Sequence, residues 1–290
     1  MPYNQSLSVS FPGLILILLD ISSSMGAPFG GKLGGIKSVE CAKAVNRVLR
    51  ELGIRCTATD DAGNSYVKNR CEISILAYGS TVTNAFGGNL KSKKFVTMEE
   101  LIENCIEIET VKVKVSDGAG SLIEVDDEFP VWVKPVASGS TAMGEAFEQA
   151  YDLISEWVVQ HPESFPPIVM NITDGEPNDM ALAKRNALKL MNVGTNDGAT
   201  LIFNIHISSG RAAQVILPSD VSQLPNGDAN AQFLFEISST LPEIMLAQAK
   251  SEGYDVKYGA RGFAYNADAE TMISILNIGS KDRGQVEYAV

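Results

Sequence analysis

The chain has 290 residues, 45% of them hydrophobic, with a formal net charge of −12 and an isoelectric point near 4.7. That length and apolar content support one or two domains, and α/β folds often use such a length for one. The acidic balance argues against a nucleic-acid backbone or an anionic membrane as partner, and suits a protein that holds cations.

No stretch approaches the ~18 apolar residues needed to cross a bilayer. The apolar run at residues 14–19 lacks a basic flank and a small-residue cleavage site, so it does not read as a signal peptide. A cytoplasmic location is expected. The four cysteines, Cys41, Cys56, Cys71 and Cys105, are widely spaced without a C-x-x-C and are expected to be reduced thiols in or near the core. Of the two histidines, His161 and His206, the second lies in an apolar run and reads as a packed strand residue rather than a zinc ligand.

Residues 1–12 are polar and read as a loose lead-in. The run Leu14-Ile15-Leu16-Ile17-Leu18-Leu19 is wholly apolar and closed by turn residues, which predicts a strand buried on both faces, as in the middle of a parallel sheet. Ligands of open α/β sheets bind beyond the carboxyl ends of strands, so Asp20, Ser22 and Ser24 fall at the binding edge. One carboxylate and two hydroxyls are hard oxygen ligands of the kind Mg²⁺ prefers. Residues 26–35 are glycine-rich and predict a turn. Residues 26–32 spell G-x-x-x-x-G-K, but Leu33 stands where a phosphate-binding loop needs Ser or Thr, and residues 20–25 separate the first glycine from the strand. A helix follows, with Ile36, Val39, Ala42, Val45, Val48, Leu49 and Leu52 at helical spacing and Lys37, Lys43, Arg47 and Arg50 on its solvated face. Residues 56–69 are a polar turn or excursion, residues 71–78 a second strand, and residues 81–86 a candidate edge strand after Gly79-Ser80.

Within residues 87–137, Thr97-Met98-Glu99-Glu100 has the form of a capping box opening a short helix through Ile106. Val111, Val113 and Val115 alternate with Lys112 and Lys114, Asp117-Gly118 supplies a turn, and Leu122, Ile123 and Val125 lie on the return, which predicts a β-hairpin. It is a candidate partner contact or a cover for a sheet edge. A long helix carries Met143, Ala146, Phe147, Ala150, Tyr151, Ile154, Trp157 and Val158 on one apolar face. Residues 168–172 form a strand leading to Asp174, and Asn178-Asp179 cap a helix to about Met191. Residues 200–207 are another buried strand, and residues 208–230 read as a long loop with partial order. An apolar segment at residues 233–237, a Pro242-led helix, residues 262–265 and a last helix from about Ala267 to Leu276 follow. The sequon Asn171-Ile172-Thr173 falls in a buried strand and reads as chance.

Asp20-Ile21-Ser22-Ser23-Ser24, with Ser138-Gly139-Ser140-Thr141-Ala142-Met143-Gly144 and Ile172-Thr173-Asp174-Gly175-Glu176-Pro177, resembles the three segments of the metal-ion-dependent adhesion site of von Willebrand factor type A domains. Ser23 departs from the glycine that many members carry. The resemblance spans residues 13–279. It implies a single α/β domain with a doubly wound, Rossmann-like and mostly parallel sheet, one antiparallel edge strand, and helices on both faces. Residues 87–137 would include the hairpin as an insertion, with residues 1–12 and 280–290 as terminal extensions. It also implies that Ser22, Ser24 and Thr141 offer hydroxyls to Mg²⁺ (Mn²⁺ or Ca²⁺ being alternatives), while Asp20 and Asp174 supply negative charge. The ion then accepts a Glu or Asp from a partner protein, without chemistry.

Residues 173–177 are most similar to bacterial cytoplasmic members, including the tellurium-resistance type, which implies stress-response roles and kinase or phosphatase partners. Two other readings stand beside this one. A metal-dependent phosphotransferase or hydrolase would use Asp20 as nucleophile, but Ser22 replaces the second acid of a D-x-D motif, and no G-x-S-x-G elbow is present. A purely structural metal would leave the coordination sphere closed to outside carboxylates.

Overall fold

The computed structural model describes residues 2–30, 35–116, 122–207, 209, 213–267 and 269–280. The apolar run forms β1 (Gly13–Asp20), whose residues are all buried. Helix α1 (Lys37–Cys56) follows, then β2 (Thr57–Thr59), β3 (Ser65–Val67), β4 (Cys71–Tyr78), β5 (Val82–Asn84), β6 (Val96–Thr97) and α2 (Met98–Glu103). Next come β7 (Glu107–Ser116), β8 (Leu122–Val131), α3 (Met143–Gln160), β9 (Ile168–Thr173), α4 (Met180–Leu190), β10 (Gly194–Thr195) and β11 (Gly198–Ala199). β12 (Leu201–His206), β13 (Val215–Ile216), α5 (Ala229–Glu236), α6 (Glu243–Ser251), β14 (Phe263–Tyr265) and α7 (Ala269–Ser280) complete the order.

Among the described residues the central sheet has eight strands, in the order β13-β14-β12-β9-β1-β4-β5, with β6 also on β4. β14, β12, β9, β1 and β4 are parallel neighbours. The expected antiparallel edge strand is β5, and the short strands β6 and β13 add antiparallel pairings on β4 and β14. The chain leaves β1 through β4 on one side and returns through β9 on the other. That reversal makes the sheet doubly wound and puts its switch point between β1 and β9.

Alternation along β1 divides the core. Ile15, Ile17 and Leu19 pack with buried residues of α1, α6 and α7, whereas Leu14, Leu16 and Leu18 pack with those of α3, α4 and α5. Helices therefore cover both faces. A buried polar chain crosses the second layer: Tyr78 donates to Asn171 Oδ1 at 2.7 Å, and Asn171 Nδ2 donates to Asn204 Oδ1 at 2.9 Å. Asn204 in turn donates to the Ser238 hydroxyl and to the carbonyls of Leu234 and Ile237. The sequon asparagine is thus a fully buried network member.

Several local expectations are revised. The lead-in is anchored near its start, not loose: Tyr3 N donates to the Asp197 carbonyl at 2.6 Å, and the backbone amides of Asn4 and Gln5 donate to the Asp197 carboxylate. The capping box at Thr97 is present, but α2 ends at Glu103 because β7 begins at Glu107. Ile36 is 46% exposed and precedes α1 instead of lining its apolar face. The polar excursion folds into the β2–β3 hairpin, and residues 233–237 lie largely in α5. All four cysteines are free, three of them buried. The Asp117-Gly118 turn, residues 31–34 of the glycine-rich segment and residues 281–290 lie outside the described residues.

The β7–β8 hairpin is longer than the valine alternation predicts, with ten residues in each strand. Its register separates a charged face, with Lys112 opposite Asp126 and Lys114 opposite Glu124, from a face with Val113 opposite Val125 and Glu109 opposite Phe129. Arg50 of α1, expected in solvent, grips this second face. Its guanidinium donates to both Asp127 oxygens at 2.7 and 2.9 Å and lies 5.7 Å from the Phe129 ring centroid. Arg50 holds the Asp127 carboxyl below its usual range. A depressed folded-state value gives stability that is present above the ordinary carboxylate range and is lost as pH falls through the folded value. Arg50→Met is therefore expected to speed amide exchange across β7 and β8 at neutral pH. The wild type should approach the variant in acid, as read by hydrogen-exchange mass spectrometry. Equal exchange in both proteins at neutral pH would show that other contacts hold the hairpin.

Candidate metal centre

Asp20 ends β1 and Asp174 directly follows β9, so both carboxylates stand at the carboxyl edge beside the switch point. Asp20 is 1% exposed. Its Oδ1 accepts the Ser22 amide at 2.8 Å, and its Oδ2 accepts the Thr173 hydroxyl at 2.7 Å. Burial pushes its carboxyl above the usual range, against the opposing pull of the hydrogen bonds from Ser22 and Thr173. No cationic side chain pairs with it among the described residues.

The serines connect the two acids. Ser22 Oγ lies 3.0 Å from Ser24 Oγ, and Ser24 donates to Asp174 Oδ1 at 2.8 Å. The second oxygen of Asp174 accepts Lys37 Nζ at 2.7 Å, with side-chain exposures of 7% for the lysine and 5% for the acid. Lys37, expected on the solvated face of α1, is thus a buried member of the site.

Thr141 precedes α3 on a loop packed against the other two. Ser138 N donates to the Ile21 carbonyl at 2.6 Å, and the amide and hydroxyl of Ser23 donate to the Gly139 carbonyl at 3.0 and 2.9 Å. A Cβ on Gly79 would lie 2.7 Å from the Ser138 carbonyl oxygen. Gly139 has φ +83°, and a Cβ there would lie 2.5 Å from Ser80 Oγ, so both positions require glycine. Asn178 clamps the far side: its Oδ1 accepts Thr141 N, and its backbone N–H donates to the Thr141 carbonyl, both at 2.9 Å.

The structure therefore joins Asp20, Ser22, Ser24 and Asp174 in one hydrogen-bonded group. It brings the Thr141 loop against them, while the Thr141 hydroxyl makes no hydrogen bond to the other four among the described residues. Three hydroxyls and two carboxylates form an all-oxygen set that fits a hard divalent cation. A buried carboxylate without a cationic neighbour points the same way, because buried charges are paired or coordinate metals.

No protein-family model matches the sequence, and no curated protein does. Solved structures similar to the chain include the manganese-loaded TRAP protein of Plasmodium vivax, at 15% identity and a TM-score of 0.41, covering 92% of this chain and 72% of that one. Another is proximal thread matrix protein 1 from the mussel byssus, with a zinc-occupied MIDAS motif, at 16% identity and a TM-score of 0.35; the match covers 69% of this chain and 37% of that one. The adhesive tip pilin GBS104 of Group B Streptococcus agalactiae matches at 12% identity and a TM-score of 0.31, covering 86% and 72%. The fold assignment rests on the strand order above.

Motif reading alone misses Lys37, Thr173 and Asn178. Helical periodicity puts a lysine next to Ile36 in solvent and carries no sign of a carboxylate 137 positions away. Thr173 had a usable signal, since it is the polar end of an apolar strand. Asn178 reads as a helix cap, but Asp179 takes that role by accepting Leu182 N at 2.9 Å. His206 is buried on β12 as expected, stacked on Tyr265 with centroids 4.9 Å apart, and burial lowers its pKa.

Proposed function

We propose that this chain is a von Willebrand A-type, divalent-metal-dependent protein-recognition module that takes an acidic side chain from a partner. The observation that carries this reading is Asp20, a buried carboxylate beside the switch point with two hydrogen-bond donors and no cationic partner among the described residues. Ser22, Ser24 and Thr141 would hold a Mg²⁺-class ion through hydroxyl oxygens, with Asp20 and Asp174 supplying charge. When bound, the ion supplies an electrophilic site for a carboxylate. Hydroxyls donate little charge, so an anionic ligand is favoured. Recognition without catalysis suits Asp20, whose two oxygens are both engaged by protein donors and which is poorly placed as a nucleophile. The sequence resemblance further favours a cytoplasmic, stress-related assembly of the tellurium-resistance type, with a kinase or phosphatase as partner.

Calorimetric titration with Mg²⁺ and Mn²⁺ tests the reading. Saturable binding is expected in the wild type, weakened about tenfold or more, roughly 1.4 kcal/mol, by Ser24→Ala. Asp20→Asn, with its fold verified, is expected to abolish it. A wild-type protein that binds neither ion removes the metal reading.

A further inference from the structure

Lys37 changes what the centre can hold. Its ammonium sits 2.7 Å from Asp174 Oδ2, almost fully buried, while Ser24 occupies Oδ1. The pair is a fixed part of the site's charge rather than a surface bridge, and water screens it little. With Asp20 and Asp174 ionised, the cluster carries two negative charges, and Lys37 reduces the net to one.

Resting on the metal reading above, we propose that Lys37 makes metal retention conditional on the partner's carboxylate. A divalent ion at the three hydroxyls overshoots the remaining charge by one positive unit, beside the buried Asp20 and the almost fully buried Lys37–Asp174 pair. One carboxylate from outside restores neutrality. Without Lys37, the two aspartates neutralise the ion by themselves, and an added carboxylate brings surplus negative charge. The lysine thus converts a site that would fill with metal alone into one in which metal and acidic ligand support each other. Such coupling is reciprocal: the ligand tightens the metal as much as the metal tightens the ligand.

The test is Mn²⁺ titration by calorimetry, with and without acetate as the carboxylate probe and chloride at matched ionic strength as control. Wild type, Lys37→Gln and Lys37→Arg are compared. Glutamine keeps a hydrogen-bond donor for Asp174 without the charge, and arginine keeps the charge; thermal unfolding of each verifies the fold. Acetate is expected to tighten Mn²⁺ about fivefold or more in the wild type and in Lys37→Arg. Lys37→Gln is expected to bind Mn²⁺ alone about tenfold tighter, with the acetate effect gone. If Lys37→Gln binds Mn²⁺ no tighter than the wild type, or keeps the acetate effect, Lys37 merely orients Asp174 and the proposal is overturned. If no form binds Mn²⁺, the metal reading itself falls and this proposal with it. Should Lys37→Gln fail to fold, Lys37→Met takes its place with the same expected results, and absence of an acetate effect in the wild type and Lys37→Arg overturns the coupling.

Discussion

Replacing Asp174 with alanine is expected to lower folding stability by about 3–5 kcal/mol, the usual cost of removing one partner from a buried pair. The loss comes from what remains. Lys37 would keep an ammonium that is 7% exposed, held at the end of α1 beside the sheet, with its counter-charge removed. Ser24 would also lose its acceptor. A second substitution, Lys37→Met, should recover much of the loss, because removing both charges costs far less than stranding one. Urea unfolding of the two single variants and the double variant closes a mutant cycle, and strong coupling is the expected result. Additive effects would mean that the two side chains do not depend on each other. The same reasoning makes asparagine or serine-to-alanine changes cleaner probes of metal binding than alanine at Asp174.

The second large effect is expected at Asn171, which no ligand need touch. Asn171→Ala removes the acceptor of the Tyr78 hydroxyl and the donor to Asn204, both fully buried. Each buried polar group left unsatisfied costs about 1–3 kcal/mol, so a loss of about 2–4 kcal/mol is expected in urea unfolding. Asn171 joins β4, β9 and β12, three strands whose carboxyl ends reach the centre. A drop in Mn²⁺ affinity should therefore accompany the loss of stability. An Asn171→Ala protein as stable as the wild type would show that the polar chain is dispensable.

What the sequence reveals follows the range of the forces involved. The runs that became β1, β9 and β12 are legible because burial on both faces requires continuous apolar residues. The apolar face of α3 is legible because packing on one side imposes helical spacing. Asp20, Ser22, Ser24 and Asp174 are found because their motifs sit at strand ends, where the backbone turns toward one edge. Contacts between distant segments leave no such trace. Lys37 and Asp174, Arg50 and Asp127, or Tyr3 and Asp197 meet only once the chain is folded, and no local pattern marks their pairing. The hairpin strands were underestimated for a related reason. Beyond the valines, Glu107, Glu109 and Asp127 fall on the valine face and break the alternation that identifies a strand, although the ladder continues through them.

The close approach of Gly79 to Ser138 and of Gly139 to Ser80 has a mechanical consequence. The turn after β4 and the loop carrying Thr141 touch backbone to backbone, and the β1 loop is tied to the same segment through Ile21 and Ser23. Two of the three ligand-bearing loops therefore share their stiffness with the turn beside the β5 edge. Displacing the threonine loop requires moving that turn and the β1 loop with it, so the hydroxyls of Ser22, Ser24 and Thr141 keep their mutual spacing when this side of the centre shifts.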